Sequence, residues 1–366
     1  MCADALDLFA GPGGFSMGLK ANGLTELGFE WCTDASATAM AAGFPRVVAD
    51  LATLDPREQM CAPGIVAGPP CQGFSIAGKG KSRDDSEALL AAIPTITREN
   101  VDDVIASLRE SMTDDRSLLV LEPLRWVLLR ESEWAVFEQV PAVKPIWEAC
   151  AEVLRAHCYS VATGTVSAEQ YGTPQVRKRA VLVARNDGVE AKLPEPTHSK
   201  YHARTPERLD KGVLPWVSMA DALGEAYAGL KVRSNYGTGG DPRARGMRSS
   251  GQPAFTVTSK VDRNLWVPEF NDQSGTPFDR EWPCKRPSTA VAGRGLVQNP
   301  GATANRWNGS TKSRNDGVRI SVQEAGVLQG FPPDYPWQGK TTKQFEQAGN
   351  AVPVQLATAL IRAATA

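Results

Sequence analysis

Long apolar runs are missing from this chain, and nowhere does its sequence approach the roughly 18 consecutive apolar residues of a membrane-spanning helix. Net charge is missing too: 40 Lys and Arg face 41 Asp and Glu, a formal −1, so bulk electrostatics does not announce a nucleic-acid partner and local charge has to carry that question. Histidine is scarce, with three residues, and the seven cysteines are scattered, odd in number and without CxxC or Cys/His ligand spacing. That pattern excludes a disulfide scaffold and a structural zinc site, leaves no metal site to expect, and favours a reducing compartment. The opening Met1-Cys2-Ala3-Asp4-Ala5 runs into an apparent first strand with no basic, apolar leader ahead of it, so the expectation is an intracellular protein.

At 366 residues the chain is long enough for one well-buried α/β domain plus a smaller second one. The stretch Ala5-Leu6-Asp7-Leu8-Phe9-Ala10, followed by Gly11-Pro12-Gly13-Gly14-Phe15-Ser16, reads as strand, glycine turn and helix. Close glycines let a ligand approach the backbone, and a helix N-terminus offers free N–H donors. A carboxylate, Glu30, ends a second apolar stretch, and Asp50 ends a third after Val47-Val48-Ala49. Acids at strand ends either cap turns or, in a Rossmann-like unit, hold ribose hydroxyls. Then Ile65-Val66-Ala67 reads as a buried strand stopped by prolines in Gly68-Pro69-Pro70-Cys71-Gln72-Gly73-Phe74-Ser75. Such a loop presents Cys71 at a strand's C-terminal edge, where a thiol can act as a nucleophile. Taken alone, it equally fits a structural loop cysteine.

The ordered set resembles the C5-cytosine DNA methyltransferase family, from Asp7-Leu8-Phe9-Ala10-Gly11-Pro12-Gly13-Gly14 to Gln347-Ala348-Gly349-Asn350-Ala351-Val352-Pro353 near the C-terminus. The resemblance implies a Rossmann-like α/β fold with a mixed, mostly parallel sheet. It also implies S-adenosylmethionine as cofactor and transfer of its methyl group to carbon 5 of a cytosine flipped out of double-stranded DNA. Residues 1–188 and 318–366 would form a discontinuous catalytic domain, and 189–317 an inserted target recognition domain. Cofactor contacts would come from Asp7, Phe9, Ala10, Gly11, Gly13, Gly14, Glu30, Trp31, Asp50, Leu51, Pro70, Leu118, Asn350 and Val352. The catalytic set would be Cys71, Glu138, Arg177 and Arg179. Gln72, Ser75, Lys79, Lys81 and Arg83 would meet DNA from a mobile loop. Carbon 5 of cytosine is a weak nucleophile until a thiolate adds at carbon 6, so the chemistry needs a cysteine, a carboxyl at the ring edge and cationic donors.

Two Glu-containing stretches compete for the carboxyl. Glu99-Asn100-Val101 matches the family's letters but opens a run with Val101, Val104, Ile105, Leu108 and Met112 at helical spacing. Glu138-Gln139-Val140 follows the strand-like Trp134-Ala135-Val136-Phe137, and Glu138 is the better candidate although Gln139 stands where the family has asparagine. Between Asp84 and Asp115 nine acidic residues face two basic ones, so this insertion reads as a solvated helical excursion without DNA contact. From Ala228 to Arg263 the balance reverses, seven basic to two acidic, with Arg243, Arg245 and Arg248 as candidate phosphate contacts and Tyr236 interleaved. Arg286-Pro287-Ser288-Thr289 looks like the motif that organises the recognition domain, and Ser321-Val322-Gln323-Glu324 reads as a capping box opening a short helix. The resemblance further implies a monomer in the cytoplasm at the nucleoid of a bacterial or phage-infected cell, with a cognate restriction endonuclease as possible partner. An RNA cytosine methyltransferase or a non-catalytic binding module are the alternatives; tRNA as substrate would mark the first, a lost nucleophile or carboxyl the second.

One substitution pair separates the two glutamates. Glu138→Gln should lower the methyl-transfer rate by roughly 10²–10⁴-fold, the worth of a placed acid–base group, and Glu99→Gln should leave it near wild type. A single-turnover assay showing the reverse would overturn the choice.

Overall fold

The computed structural model describes residues 2–70, 82–233, 246–259, 261, 264–268 and 318–366. Its larger unit is a seven-stranded sheet built from β1 (Ala5–Leu8), β2 (Glu26–Glu30), β3 (Arg46–Val48), β4 (Gly64–Ala67), β5 (Trp134–Gln139), β6 (Ser160–Ser167) and β7 (Lys178–Arg185). Their spatial order is β3-β2-β1-β4-β5-β7-β6. The first five strands are parallel to one another, and β7 runs antiparallel between β5 and β6. The mixed, mostly parallel sheet is therefore present. Its strand order reverses direction between β1 and β4, and such a switch point opens a crevice at the C-terminal strand ends.

Both faces of the sheet are covered, which is why β1 and β4 are buried along their whole length rather than alternating. Leu6, Leu8, Ile65, Phe137 and Leu182 point into one layer with Trp126 of α5 (Glu122–Arg130) and Trp147 of α6 (Lys144–Ala156). Ala5, Val66, Val136 and Val183 point the other way, against Phe15 and Leu19 of α1 (Gly14–Ala21) and Leu356 and Leu360 of the last helix (Val354–Thr365).

The acidic insertion is not a solvated excursion. Its helices α3 (Ser82–Ala92) and α4 (Val101–Arg109), with the turn between them, bring Leu89, Ile93, Ile96, Val101 and Ile105 into the first layer. The Asp85 carboxylate staples the insertion shut. It accepts bonds from the Thr113 hydroxyl and N–H, both 2.9 Å, from the Asp114 N–H at 3.3 Å and from the Ser117 hydroxyl at 2.8 Å. Charge counting along a sequence cannot see this, because the apolar residues sit between the acids at helical spacing.

A second, four-stranded antiparallel sheet has the order β11-β10-β8-β9, from β8 (Leu230–Arg233), β9 (Met247–Ser249), β10 (Leu265–Pro268) and β11 (Val318–Arg319). Val232 and Trp266 share a core with Met219 of α7 (Met219–Leu223), Leu328 of α8 (Val322–Leu328) and Phe345 of α9 (Thr341–Asn350). The capping box is formed: the Ser321 hydroxyl accepts the Glu324 N–H at 3.2 Å and Glu324 accepts the Ser321 N–H at 2.5 Å. Val318–Arg319 pairs with β10, so the smaller sheet reaches one strand past residue 317.

The last helix, α10, returns to α1 through a glycine. A Cβ on Gly18 would lie 2.8 Å from the Ala357 Cβ and 2.9 Å from its carbonyl carbon. Gly18→Ala should therefore lower the thermal midpoint. Overpacking costs roughly 1–3 kcal/mol, against about 1 kcal/mol gained in helix propensity. A raised midpoint in calorimetry would show that α10 can shift freely.

Candidate active site

The crevice at the switch point is walled by the turns after β1, β2, β3 and β4. Phe9 leaves β1 with φ 60°, a left-handed conformation that non-glycine residues adopt at strained turns, and Gly11 and Gly13 follow with φ 55° and 110°. A Cβ at Gly11 would meet only the Phe9 carbonyl, at 4.0 Å, so the surface in front of this turn is open to a ligand. Glu30 closes one side. Its carboxylate accepts the Gly11 N–H at 2.9 Å and the Cys32 N–H at 2.7 Å, which fixes the acid while leaving lone pairs for a hydroxyl partner. Trp31 beside it is 72% exposed, an unusual state for so large an apolar ring. Asp50 is half-buried at the end of β3 and accepts the Ala52 N–H at 3.1 Å.

Several residues expected as cofactor contacts serve the cradle from below. Asp7 is fully buried; its Oδ2 accepts the Ser16 hydroxyl at 3.1 Å, and Ser16 in turn accepts Arg46 Nη2 at 2.7 Å. Arg46 also pairs with Glu26 at 2.8 Å. Burial, with Glu26 alongside, pushes the Asp7 carboxyl well above the usual carboxylate range. Leu51 and Leu118 are buried in the first apolar layer, so neither presents its side chain to the crevice surface. Ala10 and Pro12 are buried too, and the Pro12 carbonyl accepts the Tyr335 hydroxyl at 2.5 Å. Val352 seals the cradle from the far end of the chain. A Cβ on Gly14 would lie 2.3 Å from the Val352 carbonyl oxygen, and one on Gly68 would lie 3.4 Å from its Cγ2. Asn350 is exposed at the end of α9.

The catalytic candidates gather one strand further along. Cys71, Gln72, Ser75, Lys79 and Lys81 lie outside the described residues, as does the side chain of Arg83, but the approach to the loop is built. Gly68 and Pro70 are half-buried at the end of β4, and Pro69 is buried. Gln139 donates from Nε2 to the Pro69 carbonyl at 2.6 Å and accepts the Val140 N–H with its own oxygen. The longer amide thus spans from β5 to the Gly68-Pro69-Pro70 turn after β4. Glu138, 6% exposed at the end of β5, holds Arg179 Nε at 2.7 Å with Oε1, and its Oε2 lies 3.8 Å from the position a Cβ on Gly68 would take. Glu99 is exposed in the turn before α4.

Two arginines assigned from sequence turn their guanidinium groups onto protein carbonyls. Arg177, expected with Arg179 in the catalytic set, is 4% exposed and spends its guanidinium on carbonyl oxygens: Nη1 to Val257 at 2.8 Å and Gly349 at 3.1 Å, Nη2 to Ala351 at 3.3 Å. It braces rather than reaches. Arg248, expected as a phosphate contact, lies over the rings of Phe255 and Tyr201, 4.1 and 4.9 Å from their centroids, and donates to the Pro253 and Ala254 carbonyls at 2.9 Å. Arg243, Arg245, Tyr236 and Arg286-Pro287-Ser288-Thr289 lie outside the described residues. Sequence reasoning missed Gln175 and Gln329, whose buried amides tie the segment before β7 to α8 and α8 to α9: Gln175 Nε2 donates to the Leu328 carbonyl at 2.8 Å, and Gln329 Nε2 to the Ala348 carbonyl at 2.6 Å.

Comparison with known proteins matches this arrangement. The chain is similar to the Type II methyltransferase M1.HphI of Haemophilus parahaemolyticus, 27% identical over 98% of this chain and 85% of the relative. It is 26% identical to M.AplI of Arthrospira platensis, over 98% and 84%. Its fold is that of S. pombe Dnmt2 methyltransferase, with a TM-score of 0.55 at 15% identity over 98% and 97% of the two chains. A putative DNA modification methyltransferase encoded within an E. coli prophage gives 0.51 at 18% identity, over 98% and 97%. The open glycine turn, the clamped carboxylate and the exposed indole fit S-adenosylmethionine, the cofactor of the family whose profile, C-5 cytosine-specific DNA methylase, matches residues 3–106 and 104–366. The chain belongs to that family and is a DNA (cytosine-5)-methyltransferase.

Proposed function

We propose that Cys71 is the nucleophile of this transfer, with Glu138 and Arg179 as its partners. The observation that carries the reading is the meeting, at one sheet edge, of the Gly68-Pro69-Pro70 approach with the Glu138–Arg179 pair. The Cys71 thiolate adds to carbon 6 of a cytosine withdrawn from the duplex, as base-modifying enzymes require. The carbon 5–carbon 6 double bond opens and charge moves into the ring. Glu138, held in place by Arg179, gives a proton or hydrogen bond to nitrogen 3, and the cationic Arg179 faces the ring oxygen. Bound S-adenosylmethionine supplies an activated methyl group, and Glu30, Trp31, Asp50, Phe9 and the Gly11 turn would hold it. Transfer of the carbon 5 proton to water then re-forms the carbon 5–carbon 6 double bond and breaks the bond from sulfur to carbon 6, releasing the Cys71 thiolate.

The same reading divides the chain into a catalytic domain, residues 1–188 with 318–366, and a target recognition domain, 189–317. The two separate sheets support that division, although Val318–Arg319 pairs within the second sheet and Leu328 of α8 and Phe345 of α9 share its core. It also makes the protein a monomeric cytoplasmic enzyme at the nucleoid, with a restriction endonuclease as partner. Supporting this are the relatives named as Type II methyltransferases, and the absence, among the described residues, of any helix long and apolar enough to cross a membrane.

Cys71→Ser should abolish methyl transfer while leaving cofactor affinity within about twofold, because the cradle is built without the thiol. Wild-type protein should form a denaturant-resistant complex with 5-fluorocytosine DNA, since fluorine blocks release of the adduct. Scintillation counting that finds normal transfer by the serine variant, or gel electrophoresis that finds no trapped complex, would sink the assignment.

A further inference from the structure

The segment from Thr197 to Leu214 carries no motif that marks it as a DNA contact, yet its placement sets it beside the reacting groups. β6 runs parallel to β5, so the end of β6 lies at the same edge as Glu138. The 3₁₀ turn that follows, Ala168–Tyr171, carries the segment: the Gln170 carbonyl accepts the N–H groups of Thr197 and His198, both at 2.9 Å. The His198 ring sits on Gly172, where a Cβ would come within 2.9 Å of Cε1. On its other side, Tyr201 supports the Arg248 guanidinium of β9, so the segment touches both the catalytic edge and the second sheet.

The loop is closed on itself. Ser199 N–H donates to the Leu214 carbonyl at 2.7 Å, Leu214 N–H to the Thr197 carbonyl at 3.0 Å, and Asp210 N–H to the Ser199 hydroxyl at 2.8 Å. Asp210 is used up internally, taking the Lys200 N–H and the His202 ring, both at 2.9 Å. What the loop shows to solvent is Lys200, Arg204, Arg208 and Lys211, all exposed, against one uncommitted acid, Glu207. None of these four cations is in a salt bridge among the described residues, whereas the exposed Arg57, Arg116 and Arg155 each pair with a neighbouring carboxylate.

We infer that this braced loop is a phosphate-binding surface for the DNA duplex, with Arg204, Arg208 and Lys211 neutralising the backbone beside the extruded base. The inference rests on the DNA reading above and adds where the backbone is held. On a preordered backbone only the side chains lose freedom on binding, and each phosphate they neutralise releases condensed counterions. Contacts of this kind position the duplex without reading its sequence.

The test uses full-length protein and duplex DNA of arbitrary sequence, with affinity measured by fluorescence anisotropy over a range of salt. In Arg204→Gln/Arg208→Gln/Lys211→Gln, the slope of log affinity against log salt should become shallower by roughly 0.9 for each phosphate no longer neutralised, up to about 2.7. A control of equal charge, Arg98→Gln/Arg155→Gln/Arg362→Gln, should keep the wild-type slope, and cofactor affinity checks that both variants are folded. Equal slopes for the two triple variants, in a protein whose wild type methylates DNA, would overturn the phosphate surface alone. A slope that changes for structured RNA and not for duplex DNA would overturn it as well. A wild type that neither binds nor methylates DNA would bring down both readings.

Discussion

One buried guanidinium holds the molecule's parts in register. Arg177 leaves the start of β7 and donates to carbonyls of Val257, Gly349 and Ala351, which belong to the second unit, to the end of α9 and to the link into α10. A charged donor of this kind contributes roughly 1.5–3 kcal/mol per hydrogen bond, and its loss would leave buried carbonyls without partners. The neighbouring amides extend the same joint: Gln175 accepts the Val257 N–H at 2.9 Å, and Gln329 reaches the Ala348 carbonyl at 2.6 Å. Val352, which seals the cofactor cradle, is one residue beyond Ala351. The second sheet and the glycine-turn side are therefore fastened to a common post.

The rest of the site is a matter of how close backbones can come. Gly14 and Gly18 let the last helix and its lead-in lie against α1, and Gly349 lets α9 press on the Thr258–Ser259 backbone, where a Cβ would meet Ser259 N at 2.1 Å. Gly28 leaves room for the Arg46 guanidinium, which crosses from β3 to neutralise Glu26 and support Ser16 under the glycine turn. The cradle is thus set by packing and by buried polar groups that no ligand touches. This explains why Asp7, so prominent in the motif, faces a serine in the interior.

Features carried by local sequence were legible. The glycine turn, the proline-stopped strand before Cys71 and the Ser321–Glu324 capping box each depend on residues within a few positions of one another. What sequence hides is the partner at long range. Arg248 reads as a phosphate contact because a run of residues shows charge; only the fold brings the Tyr201 and Phe255 rings against it. Arg177 and Arg179 look alike, two residues apart, but the first enters the joint between units and the second faces Glu138. The acids of the insertion counted as a solvated stretch, although Leu89, Ile93 and Ile105 among them are core. The cations of the Thr197–Leu214 loop escape notice in the sequence because Glu207 and Asp210 sit between them, and a tally of charges does not distinguish a free acid from a committed one.

The contact between the first and last helices also has a meaning in time. The Asn22 amide donates to the Thr358 carbonyl across 336 residues of sequence, and Gly14 and Gly18 wait on Val352 and Ala357 over comparable spans. Contacts so distant form late, since the chain between them must first be ordered or spanned. A ribosome delivers residues in order, so the glycine turn emerges early and stands open until α10 has been made. The nascent chain therefore has its thiol, its carboxylates and its glycine turn on hand long before it can seal them, and cofactor capture becomes a property of the finished molecule.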